Sequence, residues 1–254
     1  MKICFTTALF GDPKTLDKPA KFERNPDYDY FLFTDIDEEH FDTSWDVINI
    51  KDNLNISTLT SNVRKSRYPK FMSWELLESL GKNYDVVFYC DAYLAPYVNY
   101  DWYQSAYDII YHKKDRIGFT QAHHFNENAC KGGISYEMDL IIKAKRDAKQ
   151  SIDATKMFFK KNDESVNLNA NGYVMNTTFG YNFNDCDVRK LLSEFWKIYI
   201  SENITYRDQP LWNFLLLKYG HKPIINNELS KQKKLSFIHL GEHVMIERNK
   251  YTSK

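Results

Sequence analysis

A run of apolar residues, Val86-Val87-Phe88-Tyr89-Cys90, stops abruptly on a carboxylate, Asp91, and no other stretch constrains the chain as strongly. Short runs rich in Val and aromatics, bounded by polar residues and Pro, predict strands buried on both faces, as in a parallel sheet. Ligands of open α/β sheets collect outside the carboxyl ends of the strands. Asp91 stands at such an end, followed by Ala92-Tyr93-Leu94-Ala95-Pro96. Two readings of it are open: a ligand for a hard cation beside a bound phosphate, or the opening residue of a turn.

Strands and helices alternate around this run. Lys2 to Leu9, Tyr28 to Asp35 and Trp45 to Ile50 read as strands, the second again ending on a carboxylate. Val63 to Leu80 carries Phe71, Trp74, Leu77 and Leu80 on one helical face, and Trp102 to Tyr111 reads as a further helix. Ile117 to Thr120 is a short strand, Tyr136 to Phe159 one long helix with a polar exterior, and Lys160 to Asn169 a loop. Gly172 to Phe179, Pro223 to Asn226 and Ser236 to Leu240 complete the strands; Val188 to Ser201 and Asp208 to Lys218 complete the helices. The order predicts an α/β sandwich with a mixed, mostly parallel sheet between helices. No repeat or linker divides the sequence, so residues 1–254 read as one domain.

Lys plus Arg and Asp plus Glu each number 34, and a chain without net charge is a poor candidate for a dedicated nucleic-acid binder. The aromatic fraction, 16%, suits sugar stacking and an ordinary core equally. Cys4, Cys90, Cys130 and Cys186 are scattered, so neither a zinc cluster nor a disulfide framework is expected. No apolar run reaches the roughly 18 residues of a membrane span, and Met1 leads into a strand pattern rather than a signal peptide. The expectation is a soluble, cytoplasmic protein in which the sequons at Asn55, Asn176 and Asn203 are coincidental.

Three further stretches carry chemistry. Arg64-Lys65-Ser66-Arg67-Tyr68-Pro69-Lys70 puts four cations within seven residues at the start of a predicted helix, each opposing the macrodipole by roughly a few tenths of a kcal/mol. A bound diphosphate reverses that penalty, since Arg forks hold it bidentately and Lys adds point charge; a solvated basic face is the competing reading. Asp208, just before Pro210, is either a helix N-cap or a general base for a substrate hydroxyl. His239 closes the last strand, with Gly241 permitting close backbone approach. His123 and His124 are adjacent on a strand and point to opposite faces, so at most one faces a site.

Together these stretches resemble the nucleotide-sugar glycosyltransferases of the GT-A type. Tyr89-Cys90-Asp91-Ala92-Tyr93 stands where that family carries an Asp-x-Asp-like metal motif. Arg207-Asp208-Gln209 resembles its acceptor- and sugar-facing segment, and Ile238-His239-Leu240-Gly241 its late His element. Within the family the likeness is to the small, membrane-free enzymes of large algal viruses that build capsid-protein glycans, which would place the protein in host cytoplasm. The resemblance implies a Rossmann-like GT-A fold, with residues 1–120 as the nucleotide-sugar-binding half and 121–254 as the acceptor-binding half. It implies a UDP-sugar as the favoured donor, a glycan as acceptor, and Mn²⁺ or Mg²⁺ held by Asp91 and His239. Thr6, Thr7 and Ala8 would line the nucleoside pocket, with Asp35 reaching the base or ribose. Arg64, Arg67 and Lys70 would face the phosphates, and Ala92, Tyr93 and Gly241 would border the donor. His123, His124, Arg207 and Gln209 would face sugar or acceptor. Asp208 would be the base of an inverting transfer; in a retaining one, Asp208 and Gln209 would hold the sugar. Tyr93 departs from the family pattern, leaving Asp91 as the motif's carboxylate, so the cation would be held weakly and largely by the diphosphate.

Two alternatives compete. A nucleotidyltransferase acting on sugar phosphates would show a Gly-rich loop after the first strand, where Ala8 to Pro13 has only Gly11. A non-catalytic glycan-binding module would use the aromatics but leaves Asp91 and the cation cluster without a role.

Overall fold

The apolar runs do form strands buried on both faces. In the computed structural model, which describes residues 1–13, 19, 21–111, 115–229 and 236–239, the first four strands are β1 (Ile3–Leu9), β2 (Asp29–Thr34), β3 (Asp46–Asn49) and β4 (Val86–Cys90). Alternate residues enter separate cores, as the two-residue period of a strand requires. Cys4, Phe33 and Val87 point into one; Phe5, Leu32 and Phe88 point into the other.

The main sheet has the order β3-β2-β1-β4-β7-β6-β8, with β6 (Phe119–His123), β7 (Val174–Asn182) and β8 (Ile224–Ile225). β1 to β4 are parallel, β7 opposes β4 and β6, and β8 runs with β6, so one strand of the seven is reversed. A second, two-stranded antiparallel sheet pairs β5 (Leu94–Pro96) with β9 (Phe237–His239). The expected mixed, mostly parallel α/β sheet is therefore present.

Helices cover both faces. α2 (Asn62–Ser79), α4 (Glu127–Lys143), α6 (Cys186–Ser201) and α7 (Asp208–Lys218) supply Phe71, Met138, Phe195 and Trp212 to the first core. α3 (Trp102–Ile110) covers the other, where the Trp102 ring meets Phe5 at 4.7 Å and Phe88 at 4.8 Å. A single turn, α1 (Leu54–Ser57), precedes α2, and α5 (Lys149–Asn162) follows α4.

The long helix expected from Tyr136 to Phe159 is two helices, α4 and α5. Lys145 adopts φ 51° and ends α4, with Arg146 N donating to Ile141 O at 2.9 Å. A left-handed residue closing a helix is ordinarily Gly or Asn; a Lys in that place leaves no mark in the sequence. α4 also begins earlier than expected, at an N-cap Asn126 whose side chain accepts from Asn128 N and Ala129 N.

The connection pattern locates a ligand edge. β1, β2 and β3 are laid outward in one direction, and the chain then returns through α2 to place β4 on the opposite side of β1. The carboxyl ends of β1 and β4 thus form a topological switch point, the crevice where open α/β sheets take ligands. Thr6 pairs with Tyr89, so the end of β1 lies beside Asp91.

Candidate active site at the carboxyl edge of the sheet

The cations of α2 are drawn to carboxylates delivered by two strand ends and by the head of α7. Lys65 Nζ lies 3.2 Å from Asp35 Oδ2, just after β2. Arg67 Nε lies 3.1 Å from Asp208 Oδ1. Lys70 Nζ bridges two acids, 3.1 Å from Asp208 Oδ2 and 3.4 Å from Asp91 Oδ1, and sits over the Tyr89 ring at 5.1 Å. Lys70 is only 3% exposed, which disposes of a solvated basic face at this position. Arg64 turns elsewhere: its guanidinium donates to the carbonyls of Tyr199 (2.5 Å) and Ile204 (3.1 Å) and covers the Tyr199 ring, tying α2 to the end of α6. Pro69 removes a helical hydrogen bond within this run, and α2 kinks three residues later at Met72 (φ −113°, ψ 21°).

Asp208 is not a cap. Arg207 holds the N-cap position of α7, and Asp208, the first helical residue, directs its carboxylate inward, where Asn176 Nδ2 donates at 3.2 Å. Burial alone would raise this carboxyl, but Arg67, Lys70 and Arg207 outweigh it and hold it well below the usual carboxylate range. Arg67 answers in kind: burial works against its charge, and Asp208 more than restores it.

Asp91 does open a turn, its carbonyl accepting from Leu94 N at 2.9 Å. Its carboxylate nevertheless faces Lys70 and accepts from the Tyr89 hydroxyl at 3.1 Å. Both of these contacts fall on Oδ1, which leaves Oδ2 for a ligand. Asp35 Oδ1 accepts from Gly11 N at 3.2 Å, so Asp35 joins the β1 and β2 ends to α2.

The remaining expected donor residues divide. Thr6 and Thr7 are wholly buried within β1, and Ala8 nearly so; Thr6 Oγ1 donates weakly to Phe88 O at 3.5 Å, and the Thr7 hydroxyl has no partner among the described residues. Ala92 is buried in the turn after β4 and Tyr93 packs at the edge of the second core. The backbone of His239 pairs with Leu94, which brings β9 beside the turn that follows Asp91; Gly241 lies outside the described residues.

A second polar group adjoins Asp208. His124 stands at the end of β6 with its ring 5.8 Å from that of Tyr173, and its Nε2 is 4.0 Å from Glu137 Oε2 on α4. His123 is the last residue of β6, and its backbone N donates to Asn227 Oδ1 at 3.2 Å. Burial lowers the His124 imidazole, and Asn126 N donates to its Nδ1, so the proton is on Nε2. Burial raises the Glu137 carboxyl; Arg207 and Arg146 pull it down and Asp208 adds to the rise. Gln209 lies beside the Tyr173 hydroxyl.

Glu137, Tyr173 and Asn176 escaped sequence reasoning. Glu137 sits in what reads as a polar helix exterior, Tyr173 looks like an ordinary strand aromatic, and Asn176 drew notice only as a sequon. In the fold Asn176 is 1% exposed and serves Asp208.

A divalent cation fits this edge as a companion of substrate. Lys65, Arg67 and Lys70 pair with Asp35, Asp91 and Asp208, and Arg207 adds its charge near Asp208, leaving a balance of one positive charge. A diphosphate adds more negative charge than this balance meets, and Mg²⁺-like ions bind through one or two carboxylates plus phosphate oxygens. Asp91 Oδ2 would be the protein's contribution. The close grouping of ligand atoms at Asp185, Cys186 and Asp187 lies elsewhere, at the start of α6, where Asp185 Oδ1 caps the helix through Asp187 N and Val188 N. Two surface clefts, one bordered by Asp101, Gln104 and Glu228 and one by Lys156, Lys160 and Glu164, include none of the charged cluster. Among the described residues no helix is long and apolar enough to cross a membrane. Comparison with protein-family models gave no match, and none came from the curated proteins.

Proposed function

We propose that this protein is a GT-A-type glycosyltransferase that moves a sugar from a nucleotide-diphosphate donor to a hydroxyl of a glycan. One observation carries the reading: Lys70, buried and bridging Asp91 after β4 to Asp208 at the head of α7, at the switch point of the sheet. Buried ion-pair networks are a weak means of stabilising a fold, and at a ligand edge they mark a site.

In the transfer the bond between the anomeric carbon and the diphosphate oxygen breaks and its electron pair leaves on the diphosphate. The acceptor oxygen bonds to that carbon, and its proton passes to the departing phosphate or to solvent. Lys70 and Arg67 stabilise the charge that grows on the leaving diphosphate, ordinarily the largest contribution to such a step. Asp91 would hold a Mn²⁺ or Mg²⁺ ion that arrives with the donor, and such an ion would supply Lewis-acid neutralisation of the leaving group's charge. Asp208 orients both cations and reaches toward the sugar. Its carboxyl is held too low for the near-neutral proton affinity that a general base needs, so the holding role suits it better than the role of base.

The test is thermal melting with UDP, GDP, their sugar esters and nucleoside triphosphates, each with and without Mn²⁺. Stabilisation by a diphosphate and its sugar ester, followed by release of free nucleoside diphosphate from the ester, supports the transferase. A response to triphosphates alone supports the nucleotidyltransferase and overturns this reading.

A further inference from the structure

Beside Asp208 the fold buries polar atoms that the protein does not satisfy. Tyr173 is 2% exposed, and among the described residues neither its hydroxyl nor Gln209 Nε2 makes a well-formed hydrogen bond; the two have at most a loose contact with each other. Glu137 is 6% exposed, and among the described residues no hydrogen bond to its carboxyl occurs; its closest polar neighbour is His124 Nε2 at 4.0 Å, beyond hydrogen-bond range. Unpaired buried polar groups are uncommon, and a cluster of them calls for a ligand's own donors and acceptors. These side chains are linked through His124 and Tyr173, with Glu137 beside His124 and Gln209 beside Tyr173. The His124 ring adjoins that of Tyr173, and the Tyr173 hydroxyl lies beside Gln209 and feels the charges of Glu137 and Asp208.

The chemistry of the set is specific. His124 Nε2–H, the Tyr173 hydroxyl and Gln209 Nε2 donate, while the Glu137 carboxyl accepts. A hydroxyl oxygen about 2.8 Å from both His124 Nε2 and Glu137 Oε2 would subtend roughly a right angle across the observed 4.0 Å, close to what an sp³ oxygen acting as both acceptor and donor prefers. A second hydroxyl on the adjacent carbon would meet Tyr173 and Gln209. Resting on the transferase reading above, we infer that His124, Glu137, Tyr173 and Gln209 form the subsite for the donor's sugar ring and hold two neighbouring hydroxyls of it. Gln209 and Arg207, both partly exposed, are the side from which the ring enters. Asp208 joins the two regions, so a sugar here has its diphosphate against Lys70 and Asp91.

Calorimetric titration with UDP, UDP-glucose, GDP and GDP-mannose in Mn²⁺ tests this, comparing the wild type with Tyr173→Phe and Glu137→Gln. Both variants are near-isosteric and touch none of the diphosphate contacts. Each should bind the free diphosphate within twofold of wild type and lose about tenfold in affinity for the sugar ester. If both variants bind sugar ester and free diphosphate in the wild-type ratio, the subsite is wrong while the diphosphate site stands. If the wild type binds no diphosphate, the transferase reading fails, and the subsite fails with it.

Discussion

Replacing Asp208 with Asn keeps the shape of the side chain and removes the charge that two buried cations share. Arg67 loses its carboxylate partner at 3.1 Å, and Lys70 keeps only Asp91 at 3.4 Å. With side-chain exposures of 16% for Arg67 and 4% for Lys70, water cannot take over the lost role. Breaking a buried pair from one side costs about 3–5 kcal/mol. The remaining Lys70–Asp91 contact argues for the lower end, about 3 kcal/mol, which in a chain of this size lowers Tm by roughly 6–12 °C. Urea unfolding followed by tryptophan fluorescence, with thermal melts alongside, measures this. The double variant Asp208→Asn/Arg67→Met removes the stranded cation and should recover about 1–3 kcal/mol relative to additivity. A single variant within about 0.5 kcal/mol of wild type, the range of an ordinary surface change, would show that the bridge is not formed and would remove the basis of the proposed site.

Other outcomes follow from the same contacts. The native Asp208 carboxyl is held below its unfolded value of about 3.9, so its contribution to stability is complete above that value and lost as pH falls through the native one. The stability gap between wild type and Asp208→Asn should therefore be flat from about pH 8 to pH 5 and close below about pH 4, as read by urea titration at each pH. Glu137 has the opposite sign: its native carboxyl is raised, so ionising it opposes folding. Glu137→Gln should gain on the wild type as pH rises through the carboxylate range, and a pH-independent difference would contradict its burial as a charge. Arg64→Ala should lower stability by about 1–3 kcal/mol through two lost charged hydrogen bonds. It should leave nucleotide affinity unchanged; weakened UDP binding would return Arg64 to the phosphate site. Asp91→Asn should abolish the Mn²⁺-dependent part of any diphosphate-induced melting shift and leave the metal-free part.

Much of the fold was legible because its strands are continuous apolar runs. Val86 to Cys90 is buried at every residue, and such a run has one reading as a parallel-type strand ended by Asp91. α7 was legible to the residue, since Pro210 and the apolar block after it mark its first turn. Where local signals were silent the reading failed. The α4–α5 break rests on a left-handed Lys145, and β5 is three residues long and exists by pairing with β9.

The site divides along the same line, and the division has a physical cause. Charges near strand ends announce themselves, because a buried sheet has few places to put a carboxylate: hence Asp35 and Asp91. Which acid each cation chooses is decided by tertiary approach, and that is invisible along the chain. Arg64 and Arg67 are one helical turn apart and look equivalent in sequence, yet one grips the carbonyls at the end of α6 and the other grips Asp208. Glu137 shows the limit most clearly. On a helix read as solvent-facing it is one acid among many; beside His124 it becomes a buried carboxyl with no hydrogen-bond donor among the described residues. Asp208 and Glu137 lie close enough to feel each other, and their surroundings move them apart, one kept charged by cations and the other pushed toward its neutral form. Neighbouring acids separated in this way can do different work in one site: Asp208 holds the cations that meet the diphosphate, and Glu137 is left to meet the sugar.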